Sequence, residues 1–212
     1  RWAVLLGDPG SGKTTLVRWL TLRFAQTLAA GAARVIVTAD QVRADEKPDG
    51  GAAPLDLGRA RLPVLLRIAD YVAARWREDG HDTALSIFDY LGRQPWLGQF
   101  DALAVDVRQA LIHYFIRQGR ALVMCDGLDE VVDVVDPASG LSRRQQVIEA
   151  LKRFVLDHVR DPQSGRCPCD ADFTSWSQGG DGHAPGDDGN QLLITSRVIG
   201  YYPLPLPCLL YT

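Results

Sequence analysis

The sequence predicts an α/β fold of three layers (α/β/α), in which helices cover both faces of a mostly parallel, five-stranded sheet. Mostly apolar runs at 3–6, 62–68, 121–126 and 191–197 predict strands that are buried on both faces, as in parallel sheets. Segments with helical periodicity separate these runs, which is the alternation typical of α/β proteins. The chain has 212 residues, of which 46% are apolar, and this suffices for one large core.

A glycine-rich loop follows the first apolar run and opens directly onto a helix. Glycines let backbone N–H groups close around a chain of phosphates, and a helix N-terminus adds unpaired donors and the positive end of its dipole. We expect Lys13 to reach the β- and γ-phosphates of a nucleotide, and the Thr14 hydroxyl to hold Mg²⁺. The loop has the phosphate-binding pattern G-x-x-x-x-G-K-[ST], and its predicted nucleotide-binding residues are Gly7, Asp8, Pro9, Gly10, Ser11, Gly12, Lys13, Thr14 and the adjoining Thr15.

The helix after this loop is amphipathic, because Leu16, Leu20, Phe24 and Leu28 recur every four residues. It is expected to end near Gly31, a candidate C-cap. Residues 34–38 are consistent with a short strand or with the start of a hairpin. Residues 39–61 have little apolar pattern and predict an exposed loop.

Four helices are predicted between the later strands. Two are short, at 70–78 and 83–92, a third ends near Gly119, and the fourth spans 142–160 with Ser142 as a candidate N-cap. We interpret their aromatic residues as core packing. The apolar positions are Leu103, Val107, Ala110, Leu111, Tyr114 and Phe115 in the third helix, and Val147, Ile148, Leu151, Phe154, Val155 and Val159 in the fourth.

The apolar run at 121–125 ends in Asp126, which is the Walker B arrangement. A carboxylate at this end of a strand is expected next to the phosphate loop of a neighbouring strand, where it can bind Mg²⁺ through water. Asp129 and Glu130 follow closely, and either of them could orient or deprotonate the attacking water in phosphoryl transfer. The sequence leaves open which of these two acids is catalytic.

The apolar run at 191–196 delivers Arg197 to the same predicted edge of the sheet. There its cation would stabilise charge on the γ-phosphate, as an arginine finger does. Arg197 is therefore the third candidate catalytic residue, beside Asp129 and Glu130.

The segment 161–190 differs in kind from the rest of the chain. It contains six aspartates against one arginine, together with six glycines and three prolines, and we interpret it as a flexible acidic insertion. Cys167 and Cys169 lie within it. A zinc site would need two further ligands, and only His158 and His183 are near in sequence, so a metal site is not indicated.

Composition narrows the partners and the compartment. The net charge of -3 provides no overall basic field, so nucleic acid is not indicated as an obligatory partner. No apolar run approaches the roughly 18 residues of a membrane span, and none resembles a secretion signal. The four scattered cysteines do not resemble a disulfide framework, which together with nucleotide chemistry predicts a cytoplasmic protein. Because the chain starts on its first strand without a methionine, we expect residues 1–212 to be a fragment of a longer protein.

Three motifs together resemble the NACHT branch of the STAND class of P-loop NTPases. They are the glycine loop with its adjoining Thr15 and Leu16, the run from Asp126 to Glu130, and Thr195-Ser196-Arg197 followed by Gly200-Tyr201. The small Gly127 directly after Asp126 is the distinctive point, since AAA+ motors usually place a catalytic glutamate there. The resemblance covers essentially the whole chain apart from 39–61 and 161–190.

The resemblance implies a P-loop NTPase fold of the ASCE/STAND type and a molecular switch in signalling or innate defence. Such proteins bind ATP or dATP with Mg²⁺, often hold ADP at rest, hydrolyse slowly and self-associate when a sensor domain is triggered. Effector and sensor domains would lie outside this fragment. Carried over by position, the nucleotide residues are Lys13, Thr14, Asp126, Asp129 with Glu130, and Arg197. The absence of an Asn-Lys-x-Asp run favours ATP over GTP.

Two alternative functions stay open at the level of sequence. A nucleotide-locked scaffold would bind ATP or ADP structurally with negligible hydrolysis. A motor ATPase of the AAA+ kind would need a catalytic acid directly after Asp126, and Gly127 counts against that alternative.

Overall fold

The computed structural model describes residues 2–38, 53–76, 81–94, 104–135, 139–159 and 189–201. The glycine loop, Asp126, Asp129, Glu130 and Arg197 lie within these ranges. Along the chain the elements are β1 (Trp2–Leu6), α1 (Lys13–Ala29), β2 (Arg34–Val37), β3 (Leu55–Arg59), β4 (Leu62–Arg67), α2 (Ile68–Arg75), α3 (Ile87–Leu91), α4 (Val105–Arg117), β5 (Ala121–Asp126), a 3₁₀ turn (Leu128–Glu130), α5 (Arg143–His158), β6 (Gln191–Ser196) and α6 (Val198–Tyr201).

The main sheet contains four strands in the order β1-β6-β5-β4, and every neighbouring pair is parallel. In register, Leu6 lies opposite Ser196 and Asp126 lies opposite Arg67, so the carboxyl ends of the strands meet at one edge. The predicted α/β class is confirmed. The expectation of five strands is wrong for the described residues, whose main sheet has four. The expectation that Asp126 follows a strand next to β1 is also wrong, since β6 lies between β1 and β5.

A separate two-stranded antiparallel sheet is formed by β2 and β3. The expectation of an exposed loop at 39–61 is therefore wrong at 55–59, which form a strand, whereas 39–52 lie outside the described residues. Leu57 of β3 packs against the cluster that contains Val35 and Phe24. The Arg34 guanidinium pairs with Asp56 at 2.8 Å. Asp56 and Gly58 interrupt the apolar pattern of β3, so the sequence pattern predicts a loop there and not a strand.

Helices cover both faces of the main sheet, as predicted. Leu122 and Met124 of β5 pack with Val17 and Phe24 of α1 on one face. The intervening Val123 and Cys125 join a second cluster on the opposite face, with residues of α4 and α5. Because successive strand residues point to opposite faces, two buried faces require an unbroken apolar run.

The prediction for α5 is confirmed in detail. Ser142 Oγ accepts a hydrogen bond from Gln145 N at 3.2 Å, and Ser142 N donates to Gln145 Oε1 at 2.7 Å, which forms a complete capping box. All six predicted inward residues of this helix are buried.

The remaining helices differ from their predictions in where they begin and end, or in which of their faces is buried. The helix α4 exists, but Val107, Leu111 and Tyr114 are about half exposed, and the buried residues are Ile112 and Ile116. The helix predicted at 83–92 is limited to α3, because the preceding segment is held by the Arg75–Asp82 ion pair at 2.8 Å. The helix predicted at 70–78 begins two residues earlier, at Ile68.

Asn190 links three elements at the amino end of the sheet and is fully buried. Its Oδ1 accepts from Ala121 N at 2.9 Å, while its Nδ2 donates to Ile116 O at 2.7 Å and to His158 O at 2.6 Å. Asn190 was assigned to the acidic insertion, and this boundary is wrong by at least Gly189 and Asn190. The rest of that insertion, 161–188, lies outside the described residues.

We expect Asn190→Ala to lower the free energy of unfolding by about 3 kcal/mol, because it removes three hydrogen bonds made by one fully buried side chain. Urea unfolding measures this change. The control is Gln26→Ala, which removes an amide from an exposed position on α1 and is expected to change stability by at most about 0.5 kcal/mol. Equal stability of the two variants would contradict the linking role of Asn190.

Among the residues that the structure describes, no helix is both long enough and apolar enough to cross a membrane.

Candidate functional site

The glycine loop connects the end of β1 to the start of α1, as the sequence predicts. Gly12 has φ = 84°, a left-handed conformation that glycine adopts without strain, and Gly12 O accepts the first helical hydrogen bond, from Leu16 N at 2.8 Å. A Cβ atom at Gly7 would lie 2.6 Å from Ser11 Oγ and 3.3 Å from Ser11 Cβ, so even an alanine at Gly7 would require Ser11 to shift. The exposed residues of the loop and first helical turn are Asp8, Pro9, Gly10, Ser11, Gly12, Thr14, Thr15 and Leu16.

The Lys13 ammonium lies in the mouth of this loop. Lys13 Nζ donates to Gly7 O at 2.6 Å, to Asp8 O at 3.0 Å and to Ser11 Oγ at 3.3 Å. The loop thus surrounds the Lys13 ammonium, which lies at the position where the sequence predicts contact with phosphates.

Asp126 is the centre of a hydrogen-bond network that joins the ends of β5 and β6 to the start of α1. Thr14 Oγ1 donates to Asp126 Oδ2 at 2.9 Å, although the two residues are 112 positions apart in sequence. Thr195 Oγ1 donates to Asp126 Oδ1 at 2.5 Å and accepts from Gly127 N at 3.0 Å. The structure therefore brings together Thr14 and Asp126, the two predicted magnesium ligands.

Thr195 was not predicted as a site residue on its own chemistry. Its side chain is buried, and its register partner is Leu5 of β1. The sequence indicates Thr195 only as a hydroxyl residue near the end of an otherwise apolar run. The strand order is what shows that Thr195 faces Asp126.

The two downstream acids have different surroundings. Asp129 accepts two hydrogen bonds from Arg197: Oδ1 from the backbone N at 2.9 Å, and Oδ2 from Nε at 2.8 Å. The Asp129 side chain is 10% exposed and that of Arg197 is 53% exposed. The structure thus brings together Asp129 and Arg197, two of the three predicted catalytic residues, as an ion pair.

Glu130 is exposed, and within the described ranges no hydrogen bond to its carboxylate is present. Its backbone N donates to Gly127 O at 3.0 Å. Its carboxyl carbon would lie 3.0 Å from a Cβ atom at Gly127, so the side chain lies against that glycine. Of the two acids, Glu130 is the one whose carboxylate can accept a proton without breaking an ion pair.

Gly127 allows this arrangement through its backbone conformation. Its φ of 85° is left-handed, which disfavours any other residue, and it turns the chain from β5 into the 3₁₀ turn that carries both acids. The small residue noted in the sequence thus has a conformational cause.

We expect Gly127→Ala to destabilise the protein by about 1 to 2 kcal/mol, since alanine is strained at this φ and its Cβ displaces Glu130. The control is Gly31→Ala, where φ is 67° but a Cβ meets nothing within 4 Å. We expect Gly31→Ala to lose about 1 kcal/mol from backbone strain alone. Urea unfolding compares the two, and a Gly127→Ala variant as stable as the parent would contradict this account.

Cys125 precedes Asp126 and takes no part in the site. Burial raises the pKa of its thiol to about 12, and the charge of Asp126 adds to this effect. The thiol therefore stays protonated and unreactive at neutral pH.

Two cavities lie away from these residues. One, of about 440 Å³, lies between the segment before α3 and helix α5, and the other, of about 650 Å³, lies beside α1, β4 and α3. No glycine-loop residue lines either cavity.

Comparison of the chain with protein-family models, with curated proteins and with solved structures found no match. What the chain can do must therefore be inferred from its residues and their geometry.

Proposed function

We propose that this chain is the nucleotide-binding core of an ATP-dependent switch of the NACHT/STAND type, with a P-loop NTPase fold and slow hydrolysis. The observation that carries the proposal is the Thr14–Asp126 hydrogen bond at 2.9 Å. It joins the end of the glycine loop to the acid at the end of β5, across the intervening strand β6. A magnesium nucleotide needs these two groups at one place.

The loop fits a chain of phosphates. Its glycines bring backbone N–H groups close together, and α1 begins at Lys13 with its unpaired N–H groups directed to the same place. The Lys13 ammonium, which contacts two loop carbonyls, would hold the β- and γ-phosphates. Gly7 to Thr15 would therefore bind ATP or ADP.

The donor set at Asp126 fits Mg²⁺. The described residues contain no group of three or more His, Cys, Asp or Glu that could hold a metal, and Mg²⁺ is usually bound by one or two protein oxygens together with phosphates and water. Thr14 would supply its hydroxyl and Asp126 would act through a water. When bound, Mg²⁺ neutralises charge on the phosphates. Thr195 holds the Asp126 carboxylate in place at 2.5 Å.

Hydrolysis would use Glu130 and Arg197. The water oxygen forms a bond to the γ-phosphorus, the bond to the bridging oxygen breaks, and the water proton passes to the Glu130 carboxylate. Arg197 would stabilise charge on the γ-phosphate oxygens. A single exposed acid without further positioning contacts is consistent with slow turnover.

The wider role follows from the resemblance to the family. We propose that the nucleotide state governs self-association of the full-length protein in the cytoplasm, with effector and sensor domains outside these residues. Gly127, directly after Asp126, counts against a motor of the AAA+ kind. A nucleotide-locked scaffold is the alternative that the activity measurement below decides.

Calorimetric titration with Mg-ATP, Mg-ADP and Mg-GTP tests the proposal. We expect Mg-dependent binding of ATP and ADP and weaker binding of GTP, together with slow phosphate release in a single-turnover assay. Absence of binding by all three nucleotides would exclude the function. Tight binding with no phosphate release over many hours would favour the scaffold.

A further inference from the structure

We infer that Asp129 is a positioning residue that holds Arg197 in the orientation that reads the γ-phosphate, and that it is not the acid which activates water. The inference rests on the proposed nucleotide function and assigns different tasks to two acids that are adjacent in sequence.

The first observation is the double contact between Asp129 and Arg197. One carboxylate oxygen accepts from the backbone N of Arg197 at 2.9 Å and the other from its Nε at 2.8 Å. Two bonds from one residue fix both the main chain and the side chain of Arg197. Each Asp129 oxygen already accepts a charge-assisted or backbone hydrogen bond, so a proton transfer to Asp129 would disrupt the pair.

The second observation is the place of Arg197 beside the glycine loop. Gly7 N donates to Ser196 O at 3.3 Å. Arg197 is the next residue in the chain, so its backbone lies beside the glycine loop. The guanidinium is planar with five N–H donors, and pairing through Nε leaves its two terminal nitrogens for another anion. The Arg197 side chain is 53% exposed, which leaves it accessible to such an anion.

The third observation is burial. Asp129 is 10% exposed, whereas Arg197 is 53% exposed, so the acid is the fixed member of the pair and the cation is the accessible one. Asp129 also lies in the turn directly after β5, and Arg197 lies directly after β6. The pair therefore ties together the ends of two adjacent strands, on the edge of the sheet where Asp126 lies.

A group that acts on the γ-phosphate distinguishes ATP from ADP, since ADP lacks it. If Asp129 acts through Arg197, loss of either residue should lower the preference for ATP over ADP by the same factor. Loss of a water-activating acid should leave that preference unchanged and lower only the rate. These two effects separate positioning from proton transfer.

A double-mutant cycle tests the inference, with Asp129→Asn, Arg197→Ala, the double variant and, for contrast, Glu130→Gln. The measurements are the dissociation constants of Mg-ADP and of Mg with a non-hydrolysable ATP analogue. We expect Asp129→Asn and Arg197→Ala each to lower the ATP preference by roughly tenfold, with ADP affinity unchanged. The double variant should lose no more than Arg197→Ala alone. Glu130→Gln should keep the preference.

Additive losses in the double variant, or an unchanged ATP preference in Asp129→Asn, would overturn the inference while nucleotide binding stands. Asp129→Asn without turnover but with full ATP preference would identify Asp129 as the water-activating acid. If the parent binds neither nucleotide, the proposed function fails and the inference fails with it. Far-UV circular dichroism checks that each variant folds.

A spectroscopic measurement of the Asp129–Arg197 contact tests the inference without any nucleotide. In ¹⁵N spectra we expect the Arg197 Nε–H resonance to be protected from solvent exchange in the parent and in Glu130→Gln, and unprotected in Asp129→Asn. Asp129→Glu keeps the charge and should restore part of the protection. Equal protection in the parent and in Asp129→Asn would overturn the inference even if that variant bound no nucleotide.

Discussion

Lys13→Ala is expected to abolish tight binding of Mg-ATP. Lys13 is the lysine of the glycine loop, and its ammonium lies 2.6 Å from Gly7 O and 3.0 Å from Asp8 O, where the phosphates would be held. Hydrogen bonds to charged groups contribute about 1.5 to 3 kcal/mol each, so the loss of contacts to two phosphates should weaken binding by at least about 100-fold. Isothermal titration calorimetry measures this directly.

The matched control is Lys152→Ala. Lys152 pairs with Glu149 on α5, whose buried residues pack on the opposite face of the sheet from α1. Its loss removes the same charge without touching the loop, and we expect unchanged Mg-ATP affinity. If Lys13→Ala binds Mg-ATP as tightly as Lys152→Ala, the glycine loop is not a phosphate site.

Asp129→Asn combined with Glu130→Gln is expected to lose turnover while Mg-ATP still binds, about tenfold more weakly than in the parent because Arg197 loses its partner Asp129. Both changes conserve shape and remove charge, while Lys13, Thr14 and Asp126 stay in place. Glu130→Gln removes the carboxylate that would accept the proton of water, and Asp129→Asn removes the charged partner of Arg197 at 2.8 Å. General base catalysis contributes about 10²- to 10⁴-fold, so phosphate release should slow by at least about 100-fold.

Asp133→Asn is the control for this pair. Asp133 lies three residues beyond Glu130 and is exposed, so it removes a nearby acid without altering the site. We expect it to release phosphate at the parent rate. A double variant that also turns over at the parent rate would show that neither carboxylate is catalytic.

The features predictable from the sequence are those that local chemistry determines. The glycine loop and α1 follow from a short pattern in which each residue type is required at its position. The capping box at Ser142 and Gln145 is likewise a contact between residues three apart. The strands β4, β5 and β6 were located because burial on both faces demands unbroken apolar runs.

Other features depend on contacts between distant segments. The strand β3 is stabilised by Leu57, which packs against the core cluster beside α1, and by Asp56, which pairs with Arg34. Both contacts are to residues distant in sequence, so no local sequence pattern predicts them. In α4, several faces are apolar, and packing against α3 and into the core cluster that also contains residues of β5 and α5 selects Ile112 and Ile116 as the buried residues rather than Val107 and Leu111.

The sequence by itself determined which groups the candidate site contains: the loop with Lys13 and Thr14, the acid Asp126, the adjacent acids Asp129 and Glu130, and Arg197. Only the tertiary structure decided how these groups pair. The order β1-β6-β5 places Thr195 against Asp126 and Arg197 against Asp129, which leaves Glu130 exposed. Adjacent residues in a turn point in different directions, and the direction of each depends on a strand about 65 residues away in the chain. Strand order is a property of the whole core, and no short pattern encodes it.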